Sequence, residues 1–456
     1  MRGGWASASV NGLAIEEADG ACAAGLARAL VDIPCQTGII SQKSLEMTIF
    51  FAPATAVGDT TAMALTEHPG YATAFLDWLA CACAGTAERA ARAVRSVGGD
   101  LPGRVAFAAT AGHVLDYDDT LPDGVAHVSA ACAPAALMVA AELELSVGAM
   151  LEAFAEGWEA MAAVATASHP ALYDGGWHPT AVCGPIGAAV TTARLLGLPP
   201  EARCHAVALA GLRAGGTRGA FGSDGKAIQV GLAAAAGVQA ALLAQGGAVV
   251  DQRVLRGPLG FEGVMGASVP TWVAEGGAPE GARAIQRNWI KLHPSCLGTH
   301  APIDAAVQAH EGGYRLDGAG LEVSVHPVAR QAAHLDEVQD GLAAKFSIPY
   351  CVARALTDGP PRVADFARLD AGTRERARQV TVVVDEALPR FGAVVAAGGR
   401  ELARVPCPQG APERPAAPGD LAAKLSDLAG GRLDGGLDDL TVPAARVAQA
   451  AGLLAG

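Results

Sequence analysis

The segment MLEAFAEGWEAMAAVATAS, residues 150–168, decides the fold class of the chain. Its large apolar residues recur at helical spacing along one stripe: Leu151, Phe154, Trp158 and Met161. Its acidic residues fall on another face: Glu152, Glu156 and Glu159. Apolar residues three and four positions apart are typical of a helix that buries one side. The segment is therefore predicted to form an amphipathic helix with its glutamates on the polar face.

The same pattern extends through the first half of the chain. Alanine-rich segments at 71–97 and 231–245 also have helical periodicity, so residues 62–260 are predicted to form a helical bundle. Alanine lets helices approach closely, and little aromatic mass is then needed to fill the core. The low aromatic content, 5% of all residues, follows from that packing.

The pattern changes after residue 281. Leu321-Glu-Val-Ser-Val alternates with a period of two, and Val380-Thr-Val-Val-Val is typical of a buried strand. A third strand is predicted at 392–397, and helical segments are predicted at 338–346 and 346–356. Strands and helices mixed in this way indicate a smaller α+β unit.

The tail returns to helical periodicity over residues 418–454, after a Pro-rich linker at 406–418. The predicted fold class is therefore mainly α, with a large all-helical domain and a smaller α+β lid domain. The predicted boundaries are 1–285 for the helical domain, with 1–60 left unassigned, 286–405 for the lid domain, and 406–456 for a return to the helical domain.

The composition excludes several classes of protein. The 456 residues include 33 basic and 46 acidic side chains, for a net charge of -13, and there is no basic run. An acidic chain of this kind is expected to bind nucleic acids and anionic membranes poorly. The ten cysteines contain no CxxC pair, and the N-terminus lacks the apolar core of a signal peptide. A cytoplasmic protein without disulfides is predicted.

The segment GHVLDYDDT, residues 112–120, concentrates charge most strongly. If a helix continues through it, His113, Asp116 and Thr120 share one face and Asp118 points elsewhere. Three aspartates in four positions repel one another and oppose a helix C-terminus, so the cluster is costly and favours a functional role. The alternatives are a solvated acidic turn and a set of carboxylates for a divalent metal.

Four other positions carry candidate chemistry. His178 lies just before a helix that begins at Pro179, and Lys226 opens an Ala-rich helix after a Gly-rich loop; both positions suit a carboxylate ligand. The segment IKLHPSCLGTH, residues 290–300, lies at the junction of the two units, where clefts form. Tyr350 lies at a helix started by a proline. The alternatives are a structural histidine, a surface lysine and a core tyrosine.

Together these motifs resemble the MmgE/PrpD family. They occur in the order LDYDDT, His-x-Ser, GWHPT, a Gly-loop lysine, KLHPSC and FSIPYCVA, over roughly residues 62–356. The family includes 2-methylcitrate dehydratases, cis-aconitate decarboxylases and iminodisuccinate epimerases. The resemblance implies a cofactor-free, metal-free enzyme with a large helical domain and a lid domain, assembled as a homodimer.

The resemblance also implies a set of active-site residues. The implied catalytic residues are Asp116, His127, His178, Lys226 and Tyr350. The implied substrate-binding residues are Thr120, Lys291, His113, Gln229 and Cys296. The substrate would be a small carboxylate or carbonyl compound. Because its own acid groups acidify the α-carbon, a general base, an acid and nearby cations are enough for proton transfer there.

The chain departs from the family pattern at two of these positions and at Leu121. Leu121 follows the DDT element where the family has His, Gln229 replaces a histidine, and Cys296 lies where other members can have His. The loss of polar and cationic groups predicts a substrate with fewer carboxylates than methylcitrate, or a less polar one.

Several functions remain open on the sequence. The favoured one is a lyase or isomerase that acts by acid/base chemistry at the carbon α to a carboxylate or carbonyl, with elimination ahead of decarboxylation and epimerisation. A second is an inactive family member that serves as a binding protein. A third is a metal hydrolase that uses the aspartate cluster.

Overall fold

The computed structural model describes residues 69–277, 283–316, 318, 320–433 and 439–454. The segment 1–60, which the sequence left unassigned, lies outside these residues. Helices dominate the described chain, as predicted. Their bounds are α1 Pro69–Gly85, α2 Arg89–Arg95, α3 Leu101–His113, α4 Ser129–Glu142, α5 Val147–Ser168, α6 Ala171–Asp174, α7 Pro179–Leu195, α8 Pro200–Gly211, α9 Gly225–Gln245, α10 Phe261–Met265, α11 Thr271–Ala274, α12 His300–Glu311, α13 Pro327–Ala332, α14 Gly341–Ala344, α15 Ile348–Asp358, α16 Ala371–Ala377, α17 Pro418–Ala429 and α18 Ala444–Ala450.

The amphipathic segment forms most of α5, which begins after the N-cap Ser146. Its apolar stripe is buried as predicted, but its acidic face is not solvated throughout. Glu159 is buried and accepts hydrogen bonds from the Tyr71 hydroxyl and from the amides of Ala284 and Ile285. Glu156 is also buried, beside Arg203. These glutamates satisfy distant polar groups inside the bundle, which helical periodicity does not reveal.

Close packing of small residues holds the bundle together. Helix α7 packs on α5 and α9, and α3 packs on α9. A Cβ atom added to Gly187 of α7 would lie 2.6 Å from Met161 Cβ and 2.7 Å from Cys132 Sγ. The predicted close approach of Ala- and Gly-rich helices is therefore confirmed. The eight described cysteines carry free thiols.

Two predicted helical segments have different bounds in the structure. The segment 71–97 forms two helices, α1 and α2, separated by a turn. Helix α9 extends the periodic segment 231–245 back to Gly225 and places Lys226 in its first turn, at the start of the helix as predicted. This helix is long and apolar enough to cross a membrane, but 67% of its most apolar window is buried inside the protein. It therefore has the burial of a core helix.

A second hydrophobic core surrounds a four-stranded sheet of order β2-β1-β3-β4. Its strands are β1 Leu321–Val325, β2 Val380–Val384, β3 Ala393–Ala397 and β4 Arg400–Val405. The pair β1 and β2 is parallel, and the other pairs are antiparallel. The first three strands are confirmed, whereas β4 was missed because its charged residues, RELARV, conceal an exposed edge strand. Helix α12 packs on β3 and β4.

The C-terminal helices contact the first described helices. Helix α17 packs on α1, and α18 packs on α4. The preceding Pro-rich segment contains only turns and short bridges up to Pro418. The last part of the chain thus reaches the bundle, where Lys424 of α17 is buried.

Candidate active site

The aspartate cluster lies in a turn and not in a helix. Helix α3 ends at His113, and Asp116 has a φ of 50°, in the left-handed region. The predicted continuation of the helix to Thr120 is therefore wrong. The turn also changes where Asp118 points, because its carboxylate lies 2.9 Å from His113 Nδ1 and 3.3 Å from His127 Nδ1. Asp118 thus joins the site from which helical geometry had excluded it.

Asp116 is buried between two ammonium groups. Its Oδ1 lies 2.9 Å from Lys226 Nζ and 2.8 Å from Lys291 Nζ. Burial alone would raise the pKa of Asp116, but Lys226 and Lys291 outweigh burial and hold this pKa well below its ordinary value. The alternative of a solvated acidic turn is wrong, since the carboxylates of Asp118 and Asp119 are also buried.

Every lysine in the described chain donates to residues 115–117. Lys226 binds the Asp116 carboxylate, and Lys291 binds both this carboxylate and the Asp116 carbonyl. Lys345 donates to the carbonyl of Leu115, and Lys424 donates to the carbonyl of Tyr117. The same two lysines also donate to the carbonyls of Pro294 and Lys291, respectively. Four ammonium groups therefore hold one turn in place.

Two histidines face the same cavity in different environments. His178, the N-cap residue of α7, receives the Gln229 side-chain amide on Nδ1 at 2.7 Å. Gln229 Oε1 accepts from the Thr217 amide, which orients its Nε2 as the donor and leaves the His178 proton on Nε2. Burial and Lys226 lower the pKa of His178 well below its ordinary value, so this ring is neutral. The other histidine, His127, places Nε2 3.7 Å from Asp116 Oδ1.

These side chains meet at a cavity of about 50 Å³. Six predicted site residues line it: Asp116, Thr120, His127, His178, Lys226 and Cys296. The remaining lining residues are mostly apolar: Pro122, Val125, Tyr173, Phe221, Leu297, Val328, Ala332, Phe346 and Phe391. Among the described residues, Lys226 is the only lysine or arginine in this lining. The cavity therefore has one cationic end and a largely apolar wall.

Three predicted residues lie behind the cavity and reach it through another side chain. Lys291 acts through Asp116, His113 through Asp118, and Gln229 through His178. Burial lowers the pKa of His113 to about 4, and Lys226 adds to this effect. Tyr350 does not line the cavity. It lies in the second core, where its hydroxyl accepts a hydrogen bond from the Asp370 amide at 3.2 Å.

Asp119 faces away from the lysines. Its Oδ2 accepts from Ser129 Oγ at 2.8 Å and from Asn288 Nδ2 at 2.6 Å. Burial, together with the nearby carboxylates of Asp77 and Asp118, raises its pKa well above the ordinary value. Asp119 therefore favours the neutral acid.

The aspartates do not converge as a set of metal ligands. Asp116 pairs with two lysines, and Asp119 faces Ser129 and Asn288. One mixed group of ligand-type atoms does lie within 4.8 Å, from His113, Asp118 and His127. Because Asp118 hydrogen-bonds to His113, the arrangement suits the orientation of imidazole rings at least as well as a cation.

Family models match most of the described chain. The MmgE/PrpD N-terminal domain matches residues 70–271, and the MmgE/PrpD C-terminal domain matches residues 293–440. The chain belongs to the MmgE/PrpD family. Two curated proteins named cis-aconitate decarboxylase, from Aspergillus terreus and from its strain NIH 2624 / FGSC A1156, are each 28% identical over 252 residues. These matches cover 50% of this chain and 51% of each relative, so the chain spans about half the length of the curated relatives it matches.

Both MmgE/PrpD domains contribute to the cavity. Asp116, His127, His178 and Lys226 come from the N-terminal domain, whereas Cys296 and the apolar wall residues Leu297, Val328 and Phe346 come from the C-terminal domain.

Sequence reasoning missed two residues of this site. Asp118 lay within the acidic motif but off the assumed helical face. Tyr173 lay five positions before His178, in the segment YDGGWH, and a buried tyrosine beside a motif histidine was the signal that could have found it.

Proposed function

We propose that this MmgE/PrpD protein is a lyase or isomerase that transfers a proton at the carbon α to a carboxylate or carbonyl of a small organic acid. The observation that carries the proposal is the convergence of Asp116, His127, His178 and Lys226 on one cavity. The curated cis-aconitate decarboxylases support a lyase that acts on a small acid.

The geometry supports a division of roles. Asp116 is a weak base because Lys226 and Lys291 stabilise its carboxylate. It instead fixes Lys226, whose ammonium group binds the substrate carboxylate and stabilises the enediolate that forms when the α-proton leaves. His127 takes that proton, because Asp118 lies beside its Nδ1 and leaves Nε2 for the substrate. Neutral His178 donates from Nε2.

Elimination is the favoured outcome, in which the α-proton leaves before a β-hydroxyl. Decarboxylation is the second candidate, and the names of the two curated relatives favour it. Epimerisation uses the same first step. A single lysine in the lining supports a substrate with fewer carboxylates than methylcitrate, since each further carboxylate needs its own donors.

The remaining expectations belong to the same proposal. The chain is proposed to comprise a helical domain over 1–285, within which 1–60 stays unassigned, a lid domain over 286–405, and a returning segment over 406–456. The protein acts in the cytoplasm as a homodimer, without a cofactor or metal, and takes a small carboxylate or carbonyl compound as its partner. Nucleic acids and membranes are not partners.

The test is hydrogen-deuterium exchange at the α-carbon of methylcitrate, cis-aconitate and iminodisuccinate. The wild type is expected to exchange at least one of them, and Asp116→Asn and Lys226→Ala are expected to reduce the rate by about 10²- to 10⁴-fold. Wild-type rates in both variants would overturn the proposed mechanism. A protein that binds an acid, seen as a raised unfolding midpoint, without exchanging it would be an inactive binding protein.

A further inference from the structure

The Tyr173 hydroxyl is a buried polar group to which the described part of the chain offers no hydrogen-bond partner. Tyr173 lies in α6 and is only 3% exposed, and it lines the same cavity as Asp116 and Lys226. Because burying an unbonded hydroxyl costs free energy, this position favours a ligand in the cavity that can accept its hydrogen bond.

The Tyr173 ring is held firmly. The Arg218 guanidinium stacks on it, with Cζ 3.7 Å from the ring centroid, and Arg218 Nη1 donates to the Tyr173 carbonyl at 2.9 Å. Arg218 is itself fixed through its amide, which donates to the carbonyl of Gly176. A preorganised donor loses little entropy when it binds a ligand, so it stabilises developing charge efficiently.

The protonation state of Tyr173 suits donation. Burial raises its pKa to about 12, although the Arg218 guanidinium opposes this shift. The hydroxyl therefore keeps its proton at neutral pH, and it can donate a hydrogen bond but cannot serve as a base.

A second tyrosine offers a contrast. Tyr314 packs against the second core, outside the cavity lining, and its hydroxyl donates to the Gly320 carbonyl at 3.1 Å. The Tyr314 hydroxyl therefore has a partner inside the protein, away from the cavity.

We propose that Tyr173 is a catalytic residue, which donates a hydrogen bond to the substrate oxygen that gains negative charge when the α-proton leaves. This inference rests on the proposed function and adds a neutral hydroxyl donor for the oxygen that the Lys226 ammonium also stabilises. It also accounts for a cavity with a single cation, since a neutral donor takes the place of a further charge.

The experiment compares Tyr173→Phe with Tyr314→Phe, each of which removes one hydroxyl and keeps the ring. Exchange at the α-carbon is measured with methylcitrate, cis-aconitate and iminodisuccinate. For Tyr173→Phe, kcat is expected to fall by about 10²-fold with little change in KM, because the bond strengthens only as charge develops. Tyr314→Phe is expected to keep kcat within about twofold. Thermal unfolding of both variants checks that each is folded.

A direct reporter accompanies the kinetics. Tyrosine labelled with ¹³C at the ring carbon that bears the hydroxyl gives a Tyr173 signal, assigned by its loss in Tyr173→Phe. This signal is expected to shift when an exchanging acid is added, whereas the Tyr314 signal is expected to stay in place.

The outcomes separate the two proposals. Wild-type exchange that persists in Tyr173→Phe, or a folded Tyr314→Phe that loses exchange as strongly, would overturn the role of Tyr173 alone. If the wild type neither exchanges the three acids nor shows a Tyr173 shift, the proposed function and the role of Tyr173 both fall.

Discussion

Two regions of one turn shift the pKa of a buried carboxylate in opposite directions. In the lysine region, Asp116 lies between Lys226 and Lys291 and its pKa is lowered. In the acid region, Asp119 lies near Asp77 and its pKa is raised. Both aspartates are almost fully buried and only three residues apart. Burial therefore does not decide the charge of an acid in this site; its neighbours decide it.

Asp118, between the two regions, shares features of both. Burial raises its pKa, but His113 and His127 outweigh burial and hold the pKa well below its ordinary value. Replacement of each aspartate by asparagine is therefore expected to affect the protein most at Asp116, less at Asp118 and least at Asp119.

Asp116→Asn is expected to have the largest effect. It leaves two buried ammonium groups without their carboxylate, so the free energy of unfolding should fall by about 3–5 kcal/mol. Urea unfolding measures this loss alongside the loss of exchange. The control is Asp123→Asn, which removes a half-exposed ion pair with Arg287 and should cost at most about 1 kcal/mol. Equal costs for the two variants would contradict the picture of a cation-locked Asp116.

Asp118→Asn is expected to act mainly on the rate. An amide offers one oxygen where the Asp118 carboxylate offers two to the nitrogens of His113 and His127, so His127 loses its orientation. The rate of exchange should fall by about 10²-fold through kcat, with little change in KM. Restoration by Asp118→Glu of part of the rate would support positioning. A loss that Asp118→Glu does not restore would argue for a purely structural role.

Asp119→Asn is expected to have the smallest effect. The native acid favours its neutral form, and an amide oxygen can still accept from Ser129, so the free energy of unfolding should change by about 1 kcal/mol or less at pH 5. Exchange should stay near the wild-type rate. A severe loss of activity would place Asp119 in the mechanism and break the contrast between the regions.

The two regions also predict opposite pH dependence. Asp116 has a lowered folded-state pKa, so its contribution to stability is present above the unfolded pKa of about 4 and is lost as pH falls through the folded value. Asp119 has a raised folded-state pKa, so its contribution is present below the unfolded pKa and is lost as pH rises through the folded value. Unfolding measured from pH 4 to pH 9 should therefore show the Asp119→Asn variant gaining on the wild type with rising pH. If the difference in unfolding free energy between the wild type and Asp119→Asn ran parallel to that for Asp116→Asn over this pH range, the opposite pKa shifts assigned to the two aspartates would be contradicted.

Periodicity predicted the elements of the fold well. Segments such as 150–168 and Leu321–Val325 follow a single period, because one face of each packs on a core. Periodicity failed where a buried charged residue hydrogen-bonds to distant groups inside the protein, and where a strand lies at the exposed edge of the sheet. Glu159 and β4 show these two cases.

The candidate site was predicted in residue type more than in geometry. Lys226 and His178 were found because both lie at the starts of long helices. The turn at Asp116 was missed because a left-handed φ at a non-glycine residue leaves no periodic trace. The roles of Lys345 and Lys424 depend on partners hundreds of positions away, which a single sequence does not connect.

The convergence of lysines on residues 115–117 has a consequence for how the protein folds. The hydrogen bonds of Lys226, Lys291, Lys345 and Lys424 to this turn span 110, 175, 230 and 307 residues of chain. Contacts between such distant segments form only after the intervening loops have closed. The site is therefore expected to assemble late in folding, once these distant segments have met. Loss of activity on heating should accordingly coincide with global unfolding.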